Sequence, residues 1–199
     1  MSTSFLADPD PTPAAQALVD ADRSANGYVM NLTRLWSYQP QTKAGLFDLL
    51  AGVAADVGLS LRERAILTSA CASTMGDSYC SIAWGGKLST TSDEGVAVGV
   101  LTGSDEGLTD AERALARWAR LVATDPNATT AADVQALRDA GWEDRQIFAM
   151  TTWVALRMAF STVNDALGVT PDAELRDTVP PAVVDAVTWG RPVGGSREG

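Results

Sequence analysis

Apolar residues recur along most of this chain at intervals of three and four, a period that predicts helices and leaves no convincing strand pattern. Residues 14–23 carry the first such stripe, which stops at the turn pair Asn26-Gly27. A second covers 28–37 through Leu32, Leu35 and Trp36, and Pro40 opens a third over 40–57 that ends at Gly58. Ser60-Leu-Arg-Glu63 has the spacing of a capping box and predicts a helix closing at Gly76. Asp77 suits the next N-cap, which puts Cys80 at the third position of a helix reaching about Leu88. Further helices are expected over 93–101, from a second capping box at Thr109–Glu112 to just before Pro126, over 130–140 and over 143–167. Pro180-Pro181 introduces a last helical piece, and no repeat at a solenoid period is visible.

The pattern is that of one all-α domain over residues 14–190. Pro9, Pro11 and Pro13 among aspartates give residues 1–13 the character of a flexible leader, and the glycines near the end make 191–199 a flexible tail. A length of 199 residues, 46% of them hydrophobic, is ample for a proper core.

Charge narrows the partners. The formal net charge is -10, with 25 acidic against 15 basic residues, so the mean surface field repels phosphate backbones and anionic lipid. No binding to nucleic acid or membrane is expected. The N-terminal stretch lacks the positive and apolar regions of a signal peptide, no later run has the ~18 apolar residues of a membrane span, and two cysteines make no disulfide framework. A cytoplasmic protein is expected.

The absence of histidine excludes the Ser-His-Asp and Cys-His constellations, the imidazole general base and every histidine-bearing metal site. Cys71 and Cys80 alone cannot fill a tetrahedral metal site, and the carboxylates are scattered without metal-ligand spacing. Gly85-Gly86 matches no phosphate loop. Neither a metal nor a cofactor is expected.

The segment Leu59-Ser-Leu-Arg-Glu-Arg-Ala-Ile-Leu-Thr-Ser-Ala-Cys-Ala-Ser-Thr-Met-Gly-Asp-Ser-Tyr-Cys-Ser-Ile-Ala-Trp84 resembles the core helix pair of the carboxymuconolactone decarboxylase and alkyl hydroperoxidase D (AhpD) superfamily. Leu108–Leu115, Ala136–Gly141 and Phe160–Gly168 are similar to its peroxidase-related branch, so the resemblance covers about residues 40–168. It implies an AhpD-like helical bundle and a homo-oligomer. Family peroxidases use a Cys-x-x-Cys followed by a histidine, with a glutamate upstream; the distal cysteine attacks peroxide, the proximal one resolves it, and Glu and His relay the proton. Matched position by position, Cys80 is the distal cysteine, Asp77 replaces the proximal one, Trp84 replaces the histidine and Ala65 stands at the glutamate. Glu63, two residues before Ala65, points about 160° away on an ideal helix. Turnover by the family mechanism is therefore expected to fail.

The remaining residues leave several readings open. A thiol at the third helical position gains from the amide dipoles, whereas the Asp77 carboxylate opposes ionisation, so Cys80 is either reactive or an inert core residue. Cys71 is core filler or a partner for Cys80. Asp77 is a helix cap, an acid or base, or a cap that also touches a polar ligand. Trp84 shares a helix face with Cys80 and, with Tyr79, either walls a small-molecule pocket or fills it. Three functions follow: a diverged AhpD-like protein in which any redox chemistry uses Cys80 and an external thiol; a cofactor-independent isomerase, decarboxylase or lactone-opening enzyme with Asp77 as acid or base; or a non-catalytic oligomeric binding or scaffold protein.

Overall fold

The computed structural model describes residues 3–194, which form eleven α-helices and one short 3-10 turn at Pro126–Ala128, with no strand among the described residues. Most boundaries follow the local chemistry named above. α1 (Pro13–Asn26) ends at left-handed Gly27, and α3 (Pro40–Val57) ends at left-handed Gly58. α4 (Leu61–Met75) opens on the Ser60–Glu63 box and α7 (Asp110–Thr124) on the Thr109–Glu112 box, each with both reciprocal bonds made. α5 (Ser78–Thr91) starts at Asp77, α6 (Glu94–Thr102) at Asp93, α8 (Ala131–Asp139) at Thr130 and α9 (Asp144–Ala166) at Glu143.

α5 runs to Thr91 rather than ending near Leu88, and two further features differ from expectation. α2 spans only Asn31–Trp36 rather than beginning near Tyr28. The Met30 amide is held by Asp22 and the Asn31 amide by Asp172, so side chains instead of helical carbonyls take these donors. The short α10 (Leu175–Thr178) precedes the foreseen α11 (Pro181–Ala186) and lacked a periodic signal because it is a single turn.

α4 lies at the centre, buried continuously from Ala65 to Ala72, and packs chiefly on α5 and α7, with α9 also against it. α3 packs on the outer side of α9. The chain after α9 forms a strap across α5. Gly85 and Gly86 admit it: a Cβ at Gly85 would come within 2.8 Å of Val183, and one at Gly86 within 2.9 Å of Val179. The pair serves close packing. Farther along, Gly190 adopts φ +68° against the start of α5, where a Cβ would meet the Gly76 carbonyl at 2.6 Å. The Ser78 hydroxyl donates to the Arg191 carbonyl and accepts from its amide, fastening the strap there.

The leader also makes definite contacts. The Phe5 amide donates to the Leu167 carbonyl, the Thr170 amide to the Thr3 carbonyl, and the Tyr38 hydroxyl to the Ala7 carbonyl. Of the expected tail, Val193 is buried and the Gly194 amide donates to Pro171; residues 195–199 lie outside the described residues.

Candidate functional site

The start and first half of α5 carry Asp77, Tyr79, Cys80 and Trp84, while Cys71 and Ala65 lie on α4, and the fold divides the polar groups between two clusters. Asp77 is fully buried, and its Oδ1 accepts from the Cys80 amide at 2.8 Å, the N-cap bond its position predicted. Its Oδ2 makes no hydrogen bond. Cys80 is 2% exposed, and its Sγ lies 3.3 Å from the guanidinium of Arg157, a donor supplied by α9. Arg157 is itself buried, with its Nε unpartnered and its guanidinium against the rings of Trp84 and Phe160.

Burial is the main influence on the Cys80 thiol and pushes its pKa far above the ordinary range; Asp77 pushes the same way, while Arg157 and the Ser161 hydroxyl favour the thiolate. At rest the group is a thiol. Cys71 is also a free, buried thiol, pushed up to about 12 by burial, with its sulfur 3.9 Å from that of Met75.

Trp84 meets Trp153 edge to face at 6.0 Å between centroids, and the Trp153 indole donates to Thr68 on α4. Ala65, which the resemblance matches to the family glutamate, is fully buried on that same helix. Glu63 offers no replacement, because its Oε2 accepts from both the Ser60 amide and the Ser60 hydroxyl. The cap occupies the only nearby glutamate of α4.

Tyr79 does not join this group. Its hydroxyl donates to Oδ2 of Asp172, whose Oδ1 accepts from the Asn31 amide at 2.8 Å. Burial and the neighbouring carboxylates Glu174 and Asp22 push Asp172 up to about 6, against the opposing hydrogen bonds from Tyr79 and Asn31. The cavities of about 250 and 270 Å³ lie elsewhere, one lined by Val53, Arg145 and Phe148, the other by Leu35, Trp36 and Leu167. Among the described residues no three His, Cys, Asp or Glu side chains are grouped to hold a metal ion.

Arg157 is the site residue that sequence reading missed. Its signal was visible: an arginine between Trp153 and Phe160, on the apolar stripe of the longest helix, where a solvated charge has no place.

This architecture has solved counterparts. Over 88% of this chain and 95% of theirs, it is similar to an uncharacterized peroxidase-related protein from Ralstonia eutropha JMP134 described as an alkylhydroperoxidase AhpD core (TM-score 0.76, 21% identity) and to an uncharacterized peroxidase-related protein from Silicibacter sp. TM1040 (0.75, 19%). The fold is AhpD-like. A third structural likeness, at TM-score 0.69 and 15% identity over 88% of this chain and 91% of the other, is the debrominase Bmp8, solved as a cysteine-to-alanine variant in complex with 2,3,4-tribromopyrrole. No family model and no curated protein matches the chain in sequence.

Proposed function

We propose that this AhpD-fold chain has lost the resolved two-cysteine peroxidase reaction and keeps a single-thiol site at Cys80, with Arg157 as thiolate stabiliser and Asp77 as proton carrier. The observation that carries the reading is the buried guanidinium 3.3 Å from Cys80 Sγ, with Arg157 Nε and Asp77 Oδ2 both unpartnered in the core. A purely structural core gains nothing from two buried charged groups with idle polar atoms; such atoms each cost roughly 1–3 kcal/mol and recur where a site must act.

In the proposed step the Cys80 proton passes to Asp77 and the thiolate forms beside Arg157. The sulfur attacks a hydroperoxide oxygen; the O–O bond breaks, Cys80 becomes a sulfenic acid, and the departing alkoxide takes the proton from Asp77. Two equivalents of an external thiol then return Cys80 to the thiol, releasing water and a disulfide. The debrominase neighbour, solved with one cysteine replaced by alanine and 2,3,4-tribromopyrrole bound, supports the idea that a fold of this kind can take a small molecule other than a peroxide.

The closed reading has its own support in the 2% exposure of Cys80 and its upward-shifted thiol, which suit an inert oligomeric scaffold. One experiment separates them. Full-length protein is exposed to cumene hydroperoxide with excess dithiothreitol, and Cys80 oxidation is read by intact mass after dimedone trapping. The single-thiol reading expects trapping at Cys80 and peroxide consumption that Cys80→Ser abolishes and Cys71→Ser leaves in place. No adduct at Cys80, with both thiols labelled only in urea, gives the site to the scaffold reading. The third reading, acid or base work by Asp77 without the thiol, rests on the idle Oδ2 and requires turnover that survives Cys80→Ala and fails in Asp77→Asn.

Self-association belongs to the same proposal. Phe148 is 75% exposed on α9 and Leu49 59% exposed on α3, two helices that pack together, so these side chains are candidates for contact with a second copy. The free cysteines and the net charge of -10 agree with a cytoplasmic protein that binds a small molecule rather than nucleic acid. No helix among the described residues is long and apolar enough to cross a membrane.

A further inference from the structure

Arg64, Lys87 and Arg157 converge on two tryptophans. Lys87 Nζ sits 4.2 Å over the Trp84 ring, Arg157 Cζ is 5.1 Å from that ring, and Arg64 Cζ is 5.8 Å over Trp153. Most other arginines of this acidic chain are spoken for: eight lie within 4.0 Å of a carboxylate among the described residues. None of the three at the tryptophans is in that set. Arg64 donates to the Ser60 carbonyl, Arg157 to the Cys80 sulfur, and among the described residues the Lys87 ammonium lies over the indole of Trp84 with no carboxylate within 4.0 Å.

Arg157 is buried and turned inward onto the Cys80 sulfur, which leaves Arg64 and Lys87 as the outer pair, neither within 4.0 Å of a carboxylate among the described residues. Lys87 is exposed and Arg64 is half-buried, so this is the edge of the cluster that a solute can reach. Like charges held together repel, and the pKa of Lys87 is pushed down by burial of its ammonium and by Arg157 and Arg64. An anion placed between them would relieve that repulsion and gain charge-assisted hydrogen bonds, with apolar surface from the indoles at hand.

We propose that Lys87 and Arg64, backed by Trp84 and Trp153, bind a small aromatic carboxylate at the outer edge of the Cys80 site. The proposal extends the single-thiol reading by naming what docks beside the sulfur, yet binding itself needs no reactive thiol.

The test titrates sodium benzoate into the full-length protein, following tryptophan fluorescence and thermal shift, with sodium chloride at equal ionic strength and benzamide as the neutral isostere. Saturable binding of benzoate and none of benzamide is expected. Lys87→Glu, an exposed substitution, should weaken benzoate by about tenfold or more, the effect of one charge-assisted contact, while Lys87→Arg retains it. Cys80→Ala should bind as the parent does, and that result stands even if Cys80 proves inert to peroxide. No saturable response, equal binding of benzamide, or a Lys87→Glu protein that binds unchanged overturns the proposal.

Discussion

Two buried carboxylates flank the first turn of α5 and behave in opposite ways. Asp172 has a donor on each oxygen, the Tyr79 hydroxyl and the Asn31 amide, and so ties the strap and the start of α2 to α5. Asp77 has one oxygen on the Cys80 amide and one on nothing, and Arg157, the donor to the Cys80 sulfur, has its Nε idle as well. A polar network selected for stability closes on itself, whereas one kept for chemistry leaves atoms free for another molecule. On the single-thiol proposal, Tyr79 is therefore a structural residue and the chemistry belongs to Cys80 and Arg157.

On that division, the largest loss of stability comes from Asp172. Replacing it with alanine leaves a buried hydroxyl and a buried amide without acceptors, so Asp172→Ala should cost about 3 kcal/mol in urea melts. A loss below about 1 kcal/mol would mean that the network holds little and that the contrast with Asp77 is empty.

Acidification probes the same group without mutation. The folded pKa of Asp172, about 6, lies above the ordinary carboxyl value of 3.8. The folded state thus holds its proton more tightly than the unfolded chain, and the stabilisation is fully present below about pH 4 and lost as pH rises through about 6. Two units correspond to at most about 2–3 kcal/mol. Asp165, also raised to about 6, chiefly by burial, adds in the same direction. Between pH 4 and 7 the parent should gain stability on acidification relative to Asp172→Asn; equal pH profiles for the two proteins would remove Asp172 as the cause.

The helices and their caps were legible because each rests on local chemistry. Ser60 with Glu63, Thr109 with Glu112, and Asp77 followed by Cys80 are short-range patterns that hold whatever packs around them. The partition of the site was not legible. Tyr79 and Cys80 are adjacent in sequence, but one residue of helix is about 100°, enough to send the hydroxyl toward Asp172 and the sulfur toward Arg157. Both partners come from far along the chain, 93 and 77 residues away, and no periodicity reports such a pairing. Gly85-Gly86 was visible as a pair, yet its role depends on Val179 and Val183 lying against it.

Tyr79→Phe gives a smaller effect than loss of Asp172, since it removes one donor and leaves the other oxygen bonded. About 1–2 kcal/mol is expected, with Cys80 chemistry untouched. A change in peroxide trapping at Cys80 in Tyr79→Phe would rejoin the two clusters and return Tyr79 to the site.

The smallest stability effect is expected at Asp77, although it is the more deeply buried carboxylate. Asparagine keeps an acceptor for the Cys80 amide and is a good N-cap, while the charge it removes lacked a full complement of partners. Asp77→Asn should therefore lie within about 1 kcal/mol of the parent. Its effect on the thiol is separable from stability. With the carboxylate charge gone, the Cys80 pKa must fall, which a thiolate absorbance titration on a Cys71→Ser background reads directly. A simple electrostatic brake would then make sulfenic acid form faster at fixed pH. A proton carrier predicts the reverse: a lower thiol pKa together with slower oxidation, because the departing alkoxide has lost its proton source. Only the second pattern makes the idle oxygen of Asp77 part of a mechanism; faster oxidation in Asp77→Asn would leave Arg157 as the sole activating group.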